Sequence, residues 1–311
     1  MKNTKRIEII EVGPRDGFQS VCNYIPLQTK LSVIERIIEA GVNSIQITSF
    51  VSPKAIPQMQ DAEELAKICL ERYPQSDFSA LVPNLYGANM AARTGLKKIS
   101  YVVSLSESHN RANISRSHEE SFEELRKIMG GLSQMEICLD LATAFGCPFE
   151  GKKVSGEAVA FLRPYVDLGI KTVNLCDTIG VANPAQVRET IAAIYETYPD
   201  LILQIHIHDT RNMGMVNTLA AIEKGVKTVQ SALGGLGGCP FAPGASGNLA
   251  TEDLVHMLCE MGYETGIDEQ KIIDAAKFES QLIDGVYSGH NYKIDRFDPK
   301  IIRKADIEEQ I

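Results

Sequence analysis

Two histidines one residue apart, His206 and His208, close the apolar run Leu201-Ile202-Leu203-Gln204-Ile205. Residues two apart in a β-strand project to the same face, so the imidazoles stand side by side at the strand's end. Such a pair is half of a divalent-metal site, although taken alone it reads equally well as two hydrogen-bonded core histidines. Asp16, after the turn Gly13-Pro14-Arg15, offers a carboxylate, and an Asp beside an Arg is more often a turn or an ion pair. With Asn248 the set becomes two nitrogens and two oxygens, with positions left for water and substrate. That mixture suits Mg²⁺ or Mn²⁺ better than a closed structural zinc site, while Co²⁺ and Zn²⁺ tolerate the same ligands.

A second candidate is Gly234-Gly235-Leu236-Gly237-Gly238-Cys239-Pro240, too glycine-rich for a core element. It reads as a flexible loop, or as a lid that brings backbone and the Cys239 thiol close to a substrate. The Lys-Ser/Thr ending of a phosphate-binding loop is absent. Gln46, Ser49, Asp140 and Asp177 lie in or at the ends of strand-like runs. Cys147 and Cys176 read as small buried thiols.

The elements that must position these residues follow a beat. Four times a helix-ending Gly leads through an aliphatic residue to a β-branched one, at Gly41 to Ile45, Gly95 to Ile99, Gly169 to Val173 and Gly225 to Val229. Glycine accepts the left-handed conformation that ends a helix, and the chain then enters a strand. Amphipathic stretches precede these steps at Leu31 to Ala40, Val159 to Leu168 and Val216 to Lys224. Further strand-like runs at Ile7 to Val12, Phe78 to Val82, Met135 to Leu141 and Leu201 to His208 bring the strands to eight. Strands alternating with helices predict a parallel α/β fold, and no Gly-x-Gly-x-x-Gly follows the first strand. A (β/α)₈ barrel is therefore expected over about residues 5–262, with a helical extension over about 263–311, polar and partly mobile at its end, in one catalytic domain. Chemistry in a barrel belongs at the carboxyl ends of the strands, and there the candidates converge.

The net charge of −9 argues against nucleic acid or an anionic membrane as main partner, and leaves an anionic small molecule open to a local cation cluster. No apolar run reaches the roughly 20 residues of a membrane span, and no signal peptide is read at the start. Seven cysteines at irregular spacing suggest reduced thiols and a cytoplasmic setting.

From Ile7 to about Leu282 the chain resembles the 3-hydroxy-3-methylglutaryl-CoA (HMG-CoA) lyase family, within the metal-dependent lyase and synthase barrels. The motifs are Glu11 to Gly17, Thr48 to Lys54, Gly146-Cys147-Pro148-Phe149-Glu150-Gly151, Asp177-Thr178-Ile179-Gly180, His206 to Thr210 and the loop from Gly234 to Asn248. The last loop marks the lyase branch. The resemblance implies Asp16, His206, His208 and Asn248 as metal ligands and Arg15 at the thioester carbonyl oxygen. Asp177 and His206 would lie near the tertiary hydroxyl, and Cys239 would take part in proton transfer; apart from what the resemblance implies, Gln46, Ser49, Asp140 and Thr178, in or near strand ends, are read as candidate substrate-lining residues. It also implies an acyl-CoA substrate and a homodimer. Those roles amount to metal-assisted cleavage between carbons 2 and 3, with charge developing on a thioester enolate.

Two positions depart from the family. Gln46 stands where a Glu is expected ahead of Thr48-Ser49-Phe50, which keeps size and hydrogen bonding but removes charge. Leu139-Asp140-Leu141-Ala142 replaces a Gly-Tyr-Val-Ser pattern and adds a carboxylate, which reads either as functional or as structural. HMG-CoA is the default substrate, and a citramalyl-CoA-like compound is the rival. A Claisen-condensing synthase and a catalytically silent metal-binding barrel are the other readings.

Overall fold

The computed structural model describes residues 5–238 and 247–294. Its strands are β1 (Glu8–Glu11), β2 (Ser44–Ser49), β3 (Asp77–Val82), β4 (Lys98–Ser104), β5 (Glu136–Ala142), β6 (Gly146–Cys147), β7 (Gly151–Lys152), β8 (Thr172–Asp177), β9 (Ile202–Ile207) and β10 (Thr228–Ser231). All but β6 and β7 close into one parallel barrel in the order β1-β2-β3-β4-β5-β8-β9-β10. The seam is the pairing of β1 with β10, from Glu8 opposite Thr228 to Glu11 opposite Ser231. β6 and β7 form a small antiparallel ribbon in the loop after β5. The fold is the (β/α)₈ barrel that the beat of glycines predicts.

Helices α1 (Leu27–Glu39), α2 (Ala62–Arg72), α3 (Leu85–Thr94), α4 (Glu107–Ile114), α5 (His118–Gly131), α6 (Ser155–Leu168), α7 (Pro184–Thr197), α8 (Gly214–Glu223) and α9 (Thr251–Glu260) fill the connections. Their ends are written in the sequence. Ser117 and Glu120 form a reciprocal capping box on α5, and Asn183 caps α7 ahead of Pro184. The four beat glycines all take the predicted positive φ, from 97° at Gly41 to 108° at Gly169. None of the helices among the described residues is long and apolar enough to cross a membrane.

Strand alternation separates two environments. Ile45, Ile99, Leu139, Val173, Ile205 and Val229 are buried against the helices, including the α1 stripe of Val33, Ile34 and Ile37. Each fully buried aliphatic side chain contributes roughly 1.5–3 kcal/mol, so this outer shell dominates stability. The inward-facing set is polar: Gln46, Ser100, Cys138, Asp140, Asn174, Gln204 and Gln230. A cavity of about 710 Å³ enters the barrel from its amino-terminal end between several of them. A bulge in β2 between Gln46 and Thr48 re-aims the end of that strand.

Among the described residues the extension beyond the barrel is one helix, α10 (Glu269–Leu282), and a short 3₁₀ turn at Asn291–Lys293. Between them the chain returns to the carboxyl face. Gly289 N donates to Gly234 O at 2.9 Å, and Ser288 Oγ donates to Asn248 O at 3.1 Å. The polar ending from Arg296 lies outside the described residues.

Gly169 and Gly41 test the beat at two levels of crowding. A Cβ at Gly169 meets only Met129 Cε at 3.8 Å, whereas one at Gly41 would lie 2.6 Å from Gly266 O. Gly169→Ala should cost about 1–2 kcal/mol in urea unfolding, the left-handed backbone alone. Gly41→Ala should cost measurably more, and equal costs would show that the carbonyl contact does not constrain the fold.

Candidate active site

Asp16 reaches the site through a wide π-type turn, Gly13–Gly17, that leaves β1 with Asp16 N bonded to Val12 O at 2.7 Å. Gly13 is needed there because a Cβ would stand 2.7 Å from Glu11 Oε1. His206 belongs to β9, and His208 follows its end. Asn248 arrives beside His208 because residues 247–249 pair with this end of β9: Asp209 N bonds Gly247 O at 2.9 Å and Leu249 N bonds Ile207 O at 3.3 Å. Parallel closure thus gathers residues more than 230 positions apart in sequence.

The ligating atoms of Asp16, His206 and His208 all lie within 4.8 Å of one another. The two Nε2 atoms are 3.0 Å apart, and His208 Nε2 is 3.9 Å from Asp16 Oδ2. Burial, reinforced by His208, pushes His206 down to about 3, and burial together with Arg15 lowers His208, so both rings are neutral donors. Burial alone would raise the Asp16 carboxyl, but the Arg15 guanidinium beside it holds it well below the usual carboxylate range. Asn248 Nδ2 donates to Asp16 Oδ2 at 2.8 Å and to Leu236 O at 3.1 Å. Two acceptors fix the orientation of that amide, and its Oδ1 is buried without a partner. A carboxylate, two neutral imidazoles and an orphaned amide oxygen fit a divalent ion of mixed N/O preference.

Arg15 is buried, with Nη1 on Asp16 Oδ1 and Nε on Gln46 Oε1. Gln46 passes its amide on to Ser100 Oγ at 3.0 Å. Asp140 is inside the barrel, level with Asn174 and Gln204 and two residues below His206 along β9. Asn174 Nδ2 donates to it at 3.0 Å. Ser49 is fully buried with its hydroxyl unpartnered. Thr178 Oγ1 accepts from Thr143 N at 2.8 Å, which ties the loop after β8 to the end of β5. Asp177 gives one oxygen to Val181 N at 2.9 Å and the other to Ala182 N at 3.0 Å, closing its own loop. Cys239 lies outside the described residues.

Ser100, Asn174, Gln204 and Gln230 escaped sequence reasoning. Their signal is a polar residue at every second position of an apolar strand, as in Ile99-Ser100-Tyr101 and Val173-Asn174-Leu175. Such a pattern normally reads as a solvent-facing side.

A family model described as HMGL-like matches residues 6–278. The mitochondrial hydroxymethylglutaryl-CoA lyase of Rattus norvegicus is 39% identical over 281 residues, covering 90% of this chain and 86% of the relative. The (R)-citramalyl-CoA lyase of Chloroflexus aurantiacus is 39% identical over 289 residues, covering 89% and 91%. The HMG-CoA lyase of Acinetobacter baumannii, solved with coenzyme A and 3-methylmalate, superposes with a TM-score of 0.87 at 37% identity over 96% of this chain and 100% of that one.

Two measurements probe this geometry. A Cβ at Gly237 would lie 2.5 Å from Asn248 Nδ2, so Gly237→Ala should weaken Mn²⁺ binding about tenfold in calorimetry without removing a ligand. Unchanged affinity would remove Asn248 from the ligand set. Burial raises the Asp177 carboxyl to about 6 against the two backbone donors. A raised carboxyl stabilises the fold fully below the unfolded value near 4, and that contribution is lost as pH rises through 6. Across that window the parent should lose about 3 kcal/mol more than Asp177→Asn in urea titrations, and parallel pH profiles would contradict it.

Proposed function

The chain belongs to the HMGL-like family and is a carbon–carbon lyase; from that premise we propose that it cleaves a 3-hydroxyacyl-CoA with a divalent metal bound. The single observation that carries the reading is the convergence of Asp16, His206, His208 and Asn248 on one point beside a buried Arg15. A divalent ion held by those four residues would chelate the substrate's hydroxyl and carboxylate oxygens and lower the hydroxyl's pKa. A base beside the hydroxyl takes its proton, the carbinol carbon becomes a carbonyl as the bond between carbons 2 and 3 breaks, and Arg15 stabilises the negative charge that passes to the thioester oxygen. A fixed cation at a developing oxyanion supplies about 3 kcal/mol. Gln46 and Asp16 grip two different nitrogens of Arg15, which sets the plane of its guanidinium. Cys239, on the glycine-rich loop, is the acid that returns a proton to carbon 2 and releases acetyl-CoA.

HMG-CoA is the proposed substrate. A second reading, a citramalyl-CoA-type substrate, is favoured by Gln46 and Asp140 and by equal identity to lyases of both kinds. The two substrates differ by one methylene between the carbinol carbon and the carboxylate, and a pocket discriminates one methylene by about 1–3 kcal/mol. The homodimer remains part of the proposal. So does the cytoplasmic setting, which free thiols at Cys22, Cys69, Cys138, Cys147, Cys176 and Cys259 support.

The deciding assay follows acetyl-CoA release from both thioesters with Mg²⁺ or Mn²⁺. Release from one at least tenfold faster than from the other, abolished by chelation and restored by metal, is the expected result. Product formed only in the condensing direction would make the protein a synthase. No turnover of either substrate with metal bound would leave a metal-binding barrel without catalysis.

A further inference from the structure

We propose that Asp140 is the positioning residue for Arg15, acting through Gln46 and Ser100 as the negative end of a one-way hydrogen-bond chain. The claim rests on the reading that Arg15 faces the thioester. The direction of the chain follows from its members. Arg15 Nε can only donate, and it donates to Gln46 Oε1. With its oxygen occupied, Gln46 turns its amide nitrogen to Ser100 Oγ at 3.0 Å. A hydroxyl that accepts from an amide keeps its own proton for another acceptor, and on the neighbouring strand β5 the Asp140 carboxyl faces the same interior, one inward position beyond Cys138, the residue paired with Ser100. Every member therefore donates toward Asp140, and a carboxylate is the one group in the line with nothing to donate back.

Burial makes the charge matter. Arg15, Gln46, Ser100 and Asp140 are exposed by 7%, 1%, 3% and 4%, so water does not screen the arginine. A buried guanidinium needs a compensating anion. Asp16 is one, but its other oxygen is committed to Asn248 and the histidine cluster. A metal ion there would draw on the same carboxylate. Asp140 supplies a second negative charge from the barrel interior, and Asn174 Nδ2 at 3.0 Å steadies it. Arg15 is thereby held between two anions, one direct and one relayed. The bland reading is that Asp140 merely satisfies Asn174; it predicts no coupling to position 46.

Moving the charge along the chain separates the two. Asp140→Asn should lower kcat about 100-fold with KM within about threefold, because the arginine is mispositioned rather than removed. The double variant Gln46→Glu/Asp140→Asn returns the anion to the atom Arg15 touches, and should recover kcat to within about fivefold of the parent. Ser100→Ala breaks the relay with little change of volume and should reproduce the loss, which keeps the test open should Asp140→Asn fold poorly. Nε–H resonances in ¹⁵N-arginine-labelled protein give a reading independent of turnover. Arg15 should show a slowly exchanging signal in the parent and the double variant, lost in Asp140→Asn and Ser100→Ala. Full activity and an unchanged Nε–H signal in the single variants would overturn the proposal, as would a double variant no better than Asp140→Asn. If the parent cleaves no acyl-CoA, the functional reading fails by itself and the Nε–H signal still decides the positioning role.

Discussion

The Glu11 carboxylate is the constraint on which the carboxyl face of the barrel depends. It points out of β1, is fully buried, and accepts from Gly13 N at 2.7 Å, Leu233 N at 2.9 Å and Thr251 Oγ1 at 2.5 Å. Those donors lie in the turn that carries Asp16, in the glycine-rich loop, and at the start of α9. One side chain thus clamps the first loop of the barrel to the last, across the seam where β1 meets β10. Buried polar groups are costly unless paired, so each of these three contacts selects against any other arrangement of the two loops. Without the clamp the turn that carries Asp16 would lose its backbone tie to the loop after β10, and the Asn248 amide and Arg15 would be left to hold the carboxylate beside the two histidines.

The glycines around that clamp serve close approach as much as chain reversal. Gly13 passes within reach of Glu11, and Gly237 leaves room for the Asn248 amide. The returning chain after α10 adds a second brace, from Ser288 to the Asn248 carbonyl and from Gly289 to Gly234. The C-terminal extension is therefore part of the site's support.

Below the rim the barrel departs from the usual filling of branched aliphatics. Gln46 with Ser100, and Asp140 with Asn174, make a polar layer, while stability comes from the shell between strands and helices. This division lets the interior be spent on orienting Arg15. It also leaves the amino-terminal end of the barrel less tightly filled, as the cavity beside Gln204 and Gln230 shows.

How much of this was legible in the sequence depends on the range of the interaction. Helix ends, the glycine beat, the eight strands and the facing pair of His206 and His208 are local properties, set by backbone sterics and by a period of two or 3.6 residues, and the sequence determined them by itself. The motifs likewise named Asp16 and Asn248 through resemblance. What the chain could not announce is contact between residues that only closure brings together. Gln46 reads in isolation as a lost charge and Asp140 as a gained one; in the tertiary structure Gln46 bonds Ser100 on the strand beside Asp140, and the proposed relay makes the two changes parts of one chain. Asp177 reads from the sequence as a catalytic candidate, and only the fold shows that its two oxygens accept from the backbone N–H groups of Val181 and Ala182. The reason is physical. A strand fixes which face its side chain takes, but the partner on that face is chosen by register with strands tens of residues away, and in this barrel that register decided what the polar residues do.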